Sequence, residues 1–429
     1  MRLLPASSAG LPLALALVLA LVPAVPAGAT EGYFEHGYGT QAKGMAGANL
    51  AYPADSLAIA TNPASAIALG DRLDLDADYF VPFRHTTIAG NAFGGDQTYS
   101  GNDSAAFVIP GFGVTRRLGG NWAAGFALYG NGGMDTAYAA NPYGRFGAAG
   151  KAGVDLQQLF LSPTLAYRFA RDQSIGLSVN VVDQMFKARG IGAFSGFSSA
   201  PRSVSDTGRD TAFGAGVRVG WQGRPVPWLT LGAAWQSKTY SGKFDKYKGL
   251  FARGGAFDVP ATWGVGAAVS TPLPGLDLAL EVRQILYSGV PSIANSIEPL
   301  FAGQPLGGST GPGFGWKDVT VEKIGINYRL SPDWQIRAGY AHSAQPIPAG
   351  QTFLNILAPG VIEHEVTAGA TWQMAPHQEI SVYALYALPN TVHGAGSIPA
   401  GFPPAGFGGG NADITLSEMS FGVGYGWRF

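Results

Sequence analysis

Cysteine is absent from the 429-residue sequence, which excludes disulfides, thiolate metal sites and cysteine nucleophiles. Charge is scarce as well: Asp, Glu, Lys and Arg make up 13%, about half the share in an ordinary globular chain. Such a surface would be poor at keeping a soluble protein dispersed. The formal net charge is −1 and there is no basic run, so no nucleic-acid partner is expected. Beyond the first thirty residues no apolar run approaches the roughly 18–20 residues of a spanning helix, so a helical membrane protein is not expected either. The six histidines form no H-E-x-x-H zinc motif and no P-loop is present; no enzyme activity, catalytic residue, cofactor or metal is expected.

What the chain has instead is glycine, 63 residues, and aromatics, 12%. Few charges, many rings and many glycines without long apolar runs fit strands that are apolar on alternate residues only, as in an outer-membrane barrel. The start of the chain agrees with that compartment. Arg2 precedes an apolar stretch from Leu11 to Val22, and Ala27-Gly28-Ala29 follows as a small-x-small cleavage site. Residues 1–29 therefore read as a secretory signal; the stretch is short for a membrane anchor and lacks positive charge after it.

Residues 30–70 show no sustained alternation and read as a compact, irregular segment with one or two short helices. From "DRLDLDADYF" onward, Leu73, Leu75, Ala77 and Tyr79 alternate with Arg72, Asp74, Asp76 and Asp78, the first half-buried strand. Further segments of this kind centre near 111, 128, 161, 181, 215, 235, 265, 282, 323, 339, 369, 384 and 421. With the first, centred near 77, they predict an all-β antiparallel transmembrane barrel of about fourteen strands over residues 71–429. Short turns such as "ARDQ" (170–173), "SPD" (331–333) and "APH" (375–377) alternate with long segments such as 242–258 and 289–315, the swap expected of periplasmic turns and extracellular loops. A soluble β-sandwich would mix its turn lengths.

The last nine residues, "FGVGYGWRF", place Phe421, Val423, Tyr425, Trp427 and Phe429 on one strand face, with glycine or Arg428 on the other. That aromatic face is expected to meet lipid. The terminal Phe429 is similar to the signature by which barrel-insertion machinery recognises its clients.

"GYGTQAKGMAGANLAYPADSLAIATNPASAIALG" resembles the N-terminal hatch of the FadL/TodX family of outer-membrane transporters. The likeness is carried by "KGMAGA" with Gly44, Met45 and Gly47, by Asp55, and by Asn62, Pro63 and Ala64. It continues in "WKDVTVEKIGINYRLSPDWQIRAGYAHSAQPIP" (316–348) and "NILAPGVIEH" (355–364). The resemblance implies a Gram-negative outer-membrane location and a monomeric barrel plugged by residues 30–70. It also implies passive uptake of a hydrophobic small molecule through an extracellular groove, an interior pocket and an opening at a kinked third strand. A long-chain fatty acid is the leading substrate, with an aromatic or alkane hydrocarbon as the alternative. A general porin for polar solutes, which would lack the plug, is the rival reading.

Residues in this sequence can be matched to those parts. Gly130, Gly132 and Gly133 interrupt the third strand and allow a bulge, or else mark a flexible strand end. Phe244, Tyr247, Leu250, Phe251 and Phe257 could line the groove, among cations that suit either a carboxylate or lipopolysaccharide. Arg283, Lys323 and Arg337 fall on the polar faces of three consecutive strands, where they could hold a ligand head group or pair with interior acids and the hatch.

Overall fold

The computed structural model describes residues 31–429 apart from 105 and 404, so the expected signal sequence lies outside the described residues. Fourteen antiparallel strands make the wall: β1 (Arg72–Ala89), β2 (Phe107–Gly119), β3 (Trp122–Tyr138), β4 (Ala152–Ala170), β5 (Gln173–Arg189), β6 (Asp210–Val226), β7 (Leu229–Gln236), β8 (Ala261–Ser270), β9 (Leu276–Leu286), β10 (Val319–Arg329), β11 (Trp334–Ser343), β12 (His364–Ala375), β13 (Gln378–Val392) and β14 (Asn411–Arg428). Each pairs with its neighbours in sequence. β14 returns to β1 in an unbroken register from Arg72↔Arg428 to Ala89↔Asn411, so the sheet closes. Closure leaves no long edge with unpaired backbone groups. Two short pieces, Gln97–Ser100 beside β1 and Tyr240–Ser241 beside β6, extend the sheet. Every strand centre expected from alternation falls inside one of the fourteen wall strands.

The alternation sorts residues by solvent. In β5 the residues Ile175, Leu177, Val179 and Val181 are exposed, while Ser174, Ser178, Asn180 and Gln184 between them are buried. The outer surface is thus apolar and the interior polar, the inverse of a water-soluble barrel. At the short-turn end rings gather on the outside, with Trp122 against Tyr167 at 4.5 Å, Trp334 stacked on Trp372 at 6.0 Å and Trp427 against Phe429 at 5.3 Å. Such a girdle marks a membrane interface.

The interior is filled by the N-terminal segment. All residues from Glu31 to Leu50 are buried, and the segment coils through α1 (Thr40–Lys43), two 3-10 turns and α2 (Ala66–Leu69). Asp55 caps the first 3-10 turn through Leu57 N at 3.1 Å, and Asn62 caps the second through Ala64 N at 3.1 Å. The segment lies so close to the wall that its facing positions are glycine. A Cβ on Gly325 would stand 2.7 Å from the Met45 Cβ, one on Gly339 would overlap the Met45–Ala46 backbone, and one on Gly369 would stand 3.1 Å from Gly44. Across the barrel, Gly176 and Gly220 make room for Asn62, Pro63 and Ala64.

Gly339→Val is therefore expected to lower barrel stability by at least the ~1–3 kcal/mol typical of overpacking, read as a lower temperature for loss of the folded band in unboiled gel samples. Gly192→Ala, where an added Cβ meets nothing within 4 Å, is the matched control and should be silent.

Candidate functional site

The ladder of the wall is incomplete between β2 and β3. β2 pairs with β3 only from Gly119↔Trp122 to Gly111↔Tyr129, and with β1 only as far as Phe80↔Phe107. Beyond that level the upper half of β3, Gly130 to Tyr138, has β4 as its only wall-strand partner, with Ala137 bridged on the other side by Asn102 of the preceding loop. The register slips between Gly130 and Gly132, leaving Asn131 as the extra residue of a bulge. Gly130, Gly132 and Gly133 thus sit in a paired but bulged strand rather than at a flexible strand end.

The missing partner is replaced from inside. Phe34 forms a bridge with Gly132, Glu35 N donates to Asn131 O at 3.0 Å, and Gly133 N donates to Tyr33 O at 2.9 Å. The Asn131 side chain turns inward, accepting from Tyr38 Oη at 2.9 Å and donating to Gln158 at 3.1 Å. Gly132 has φ +142, and a Cβ there would run into the Tyr33 carbonyl. On the other side Arg84 of β1 reaches across the gap to the Asp135 carboxylate at 2.7 Å, and also donates to the Asp135 and Ser104 carbonyls.

A narrow cavity opens behind this gap. Wall residues Phe80, Pro82, Arg84, Phe107, Met134, Asp135, Leu416 and Glu418 line it together with Gly32, Trp316 and Pro359. Its free volume is about 40 Å³, room for a few waters and too little for a ring or an acyl chain.

From Trp316 a line of rings leads to the long loops. Trp316 lies 6.0 Å from Tyr33, Tyr33 lies 6.2 Å from Phe257, Phe257 lies 4.8 Å from Phe251, and Phe251 lies 4.7 Å from Phe186. Phe244, Tyr247, Phe251 and Phe257, expected to line a groove, are buried in this cluster, and Leu250 packs on its side. The cause is hydrophobic: each ring removed from water gains about 1.5–3 kcal/mol, so the loop folds its rings inward. Its cations Lys243, Lys246, Lys248 and Arg253 stay exposed.

The interior cations face protein acceptors. Arg283 binds Glu281 at 2.7 Å and Glu31 at 3.5 Å; Lys323 binds Glu31 at 2.5 Å and donates to the His36 carbonyl. Arg337 donates to Thr371 at 2.6 Å and to Gln41 at 2.7 Å. Lys43 of the N-terminal segment joins Glu35 at 3.2 Å and Asp78. Burial pushes Glu35 up to about 7 against the pull of Lys43. Burial, with Lys43 and Lys323 adding to it, holds His36 well below its usual value and keeps it neutral.

Residues 31–393 match the family described as Outer membrane protein transport protein (OMPP1/FadL/TodX). The chain belongs to this family. No curated protein sequence matches it. Among solved structures, the toluene transporter TodX of Pseudomonas putida is 18% identical, with a TM-score of 0.69 over 92% of this chain and 99% of that one. A FadL homologue from Pseudomonas aeruginosa is 17% identical, with a TM-score of 0.70 over 93% and 100%. The toluene transporter TbuX of Ralstonia pickettii is 18% identical, with a TM-score of 0.63 over 92% and 99%. At these identities the structures speak for the fold alone. As a FadL/TodX-family member the protein is an outer-membrane transporter of hydrophobic compounds in a Gram-negative bacterium, and not an enzyme. Gly307 to Gly311 does spell G-x-S-x-G, but it lies in turns of the loop between β9 and β10, without the strand and helix that present a nucleophile.

Pro82, Arg84 and Glu418 escaped the sequence reading. A proline inside a strand pattern was the available signal, since it marks a place where pairing stops. Gly132→Val is expected to part β3 from Tyr33–Glu35. Protein-dependent uptake of a labelled hydrophobic compound should then change at least several-fold while unboiled gel mobility stays that of a folded barrel.

Proposed function

We propose that this FadL/TodX-family barrel takes up hydrophobic molecules passively, from its long loops along the buried rings to the gap beside β3, and releases them sideways into the membrane. The observation that carries this reading is the unbroken line of rings that ends on Trp316 at the gap. An apolar solute loses nothing along such a line, because each contact it leaves is replaced by another ring. No ATP or metal is needed, as the driving force is the solute's own gradient. Residues 31–70 act as the plug, and the filled interior disfavours a general porin.

Two cargoes remain in view, a long-chain fatty acid and an aromatic or alkane hydrocarbon. The engagement of Arg283, Lys323 and Arg337 with protein acceptors favours the hydrocarbon, since each cation would have to give up a partner to take a carboxylate.

Cells with and without the protein, offered a labelled long-chain fatty acid and a labelled monoaromatic hydrocarbon, test the reading. Protein-dependent uptake of at least one is expected, reduced several-fold by Phe257→Asp. Absence of any dependence, together with steady ion conductance through the purified protein in a planar bilayer, would return the porin.

A further inference from the structure

We propose that the outer wall around Ala233 binds one anionic phospholipid of the periplasmic leaflet. An acyl chain lies between Trp221, Trp235 and Trp263, and the phosphate meets arginines at the neighbouring turns. The site is separate from the gap and does not depend on the transport route. Ala233 of β7 shares the lipid face with exposed Trp235, two residues on, and stands between its ladder partners Trp221 of β6 and Val265 of β8. Trp235 and Trp263 are themselves ladder partners, yet among the described residues neither meets another ring, and Trp221 meets none. Trp334 and Trp372 stand opposite each other in the same way and do stack, at 6.0 Å. The indoles around Ala233 instead border a depression of about 860 Å³, floored by Ala233, Gly220 and Gly264. That size lies within the roughly 300–1,000 Å³ of ligand pockets. On a wall face bathed in lipid the space falls to an acyl chain, which gains dispersion contacts with the rings.

The lower edge supplies the charge. Gln173 of β5 accepts from Trp221 Nε1 at 3.4 Å and lines a second, polar cavity of about 550 Å³ at the short-turn end. Arg168 and Arg171 at the β4–β5 turn and Arg224 near the end of β6 line it as well, against Asp172 and Asp277. Asp277 already accepts from Tyr52 Oη at 3.1 Å, and none of the three arginines has an ion pair among the described residues. The cavity is therefore left with an excess of positive charge. An apolar space and a cationic one, joined at Trp221 and Gln173, match an amphiphile with an anionic head. Short turns face the periplasm, where the leaflet is phospholipid and not lipopolysaccharide.

The test is native mass spectrometry of the full-length barrel, released from detergent after incubation with dioleoyl phosphatidylglycerol or dioleoyl phosphatidylcholine. One phosphatidylglycerol is expected to stay bound, at least several-fold more often than phosphatidylcholine, since each arginine at a membrane surface favours an anionic lipid by about fivefold. Ala233→Trp fills the depression from the lipid side and should cut retention of both lipids several-fold. Ala338→Trp, on the exposed face of β11, is the control and should not. Arg171→Gln combined with Arg224→Gln, both at exposed positions, should abolish the preference for phosphatidylglycerol. Unchanged retention in a folded Ala233→Trp barrel, or an equal loss in Ala338→Trp, would overturn the site. Equal retention of the two lipids by the wild type would overturn it without any variant. Displacement of the lipid by inorganic phosphate at the same concentration would also overturn it, by revealing a phosphate site that needs no chain.

Discussion

The structure depends on how closely the backbone of the N-terminal segment approaches the inside of the barrel. A wall residue facing Met45, Leu50 or Pro63 has no room for a side chain, and Gly325, Gly339, Gly232 and Gly176 occupy those positions. This contact accounts for much of the glycine in the alternating strands. It also sets the polar chemistry of the wall, because a buried backbone N–H must find an acceptor. Asp76 accepts from Thr40 N at 2.9 Å, Asp74 from Ser56 N at 2.8 Å, and Glu281 from Leu50 N at 3.0 Å. Leaving one such group unpaired costs about 1–3 kcal/mol. Segment and wall therefore specify each other, and neither face makes sense alone.

The same segment completes the wall where the wall is deficient. The bulge at Asn131 frees backbone groups of β3 that no strand can reach, and Tyr33, Phe34 and Glu35 satisfy them from inside. The gap is thus closed by three residues of the plug, by Gly101 to Asp103 at Ala137, and by Arg84 on its β1 side. Tyr33 thus touches Trp316 with its ring and β3 with its carbonyl.

Much of this architecture was legible because lipid outside and polar contacts inside stamp a period of two on every strand. The fourteen centres, the swap of short turns and long loops and the lipid face of β14 all follow from that period. The loop aromatics were legible as a group but not in orientation: Phe244, Tyr247, Phe251 and Phe257 lie among lysines, and sequence order does not say which set turns inward. Arg283 and Lys323 were placed on interior faces, yet their partner Glu31 is 252 and 292 residues away in sequence, beyond any local pattern. The gap brings together β1, β3 and β14 from opposite ends of the chain, so Arg84, Asp135 and Glu418 had no shared signature. "DRLDLDAD" is a middle case: its alternation announced a polar face, while its acceptor role appears only once the segment is folded against it.

Anchoring along the segment is uneven. Between Thr40 and Ala64 it is held by carboxylates and amides of the wall and by its own caps, with Asn62 alone donating to the Leu50 and Trp221 carbonyls at 2.9 and 3.0 Å. Between Gly32 and Tyr38 it is held by ring contacts, by hydrogen bonds to β3 and Tyr287, by Lys323 on the His36 carbonyl, and by the ion pair of Glu35 with Lys43, whose carboxyl burial already pushes toward neutrality. Ring contacts are non-directional and can be exchanged for contacts with a bound solute at little cost, whereas a buried carboxylate–amide contact cannot. Local opening follows the weakest set of contacts. The stretch that relies most on ring packing is therefore the one that stands between the aromatic line and the gap.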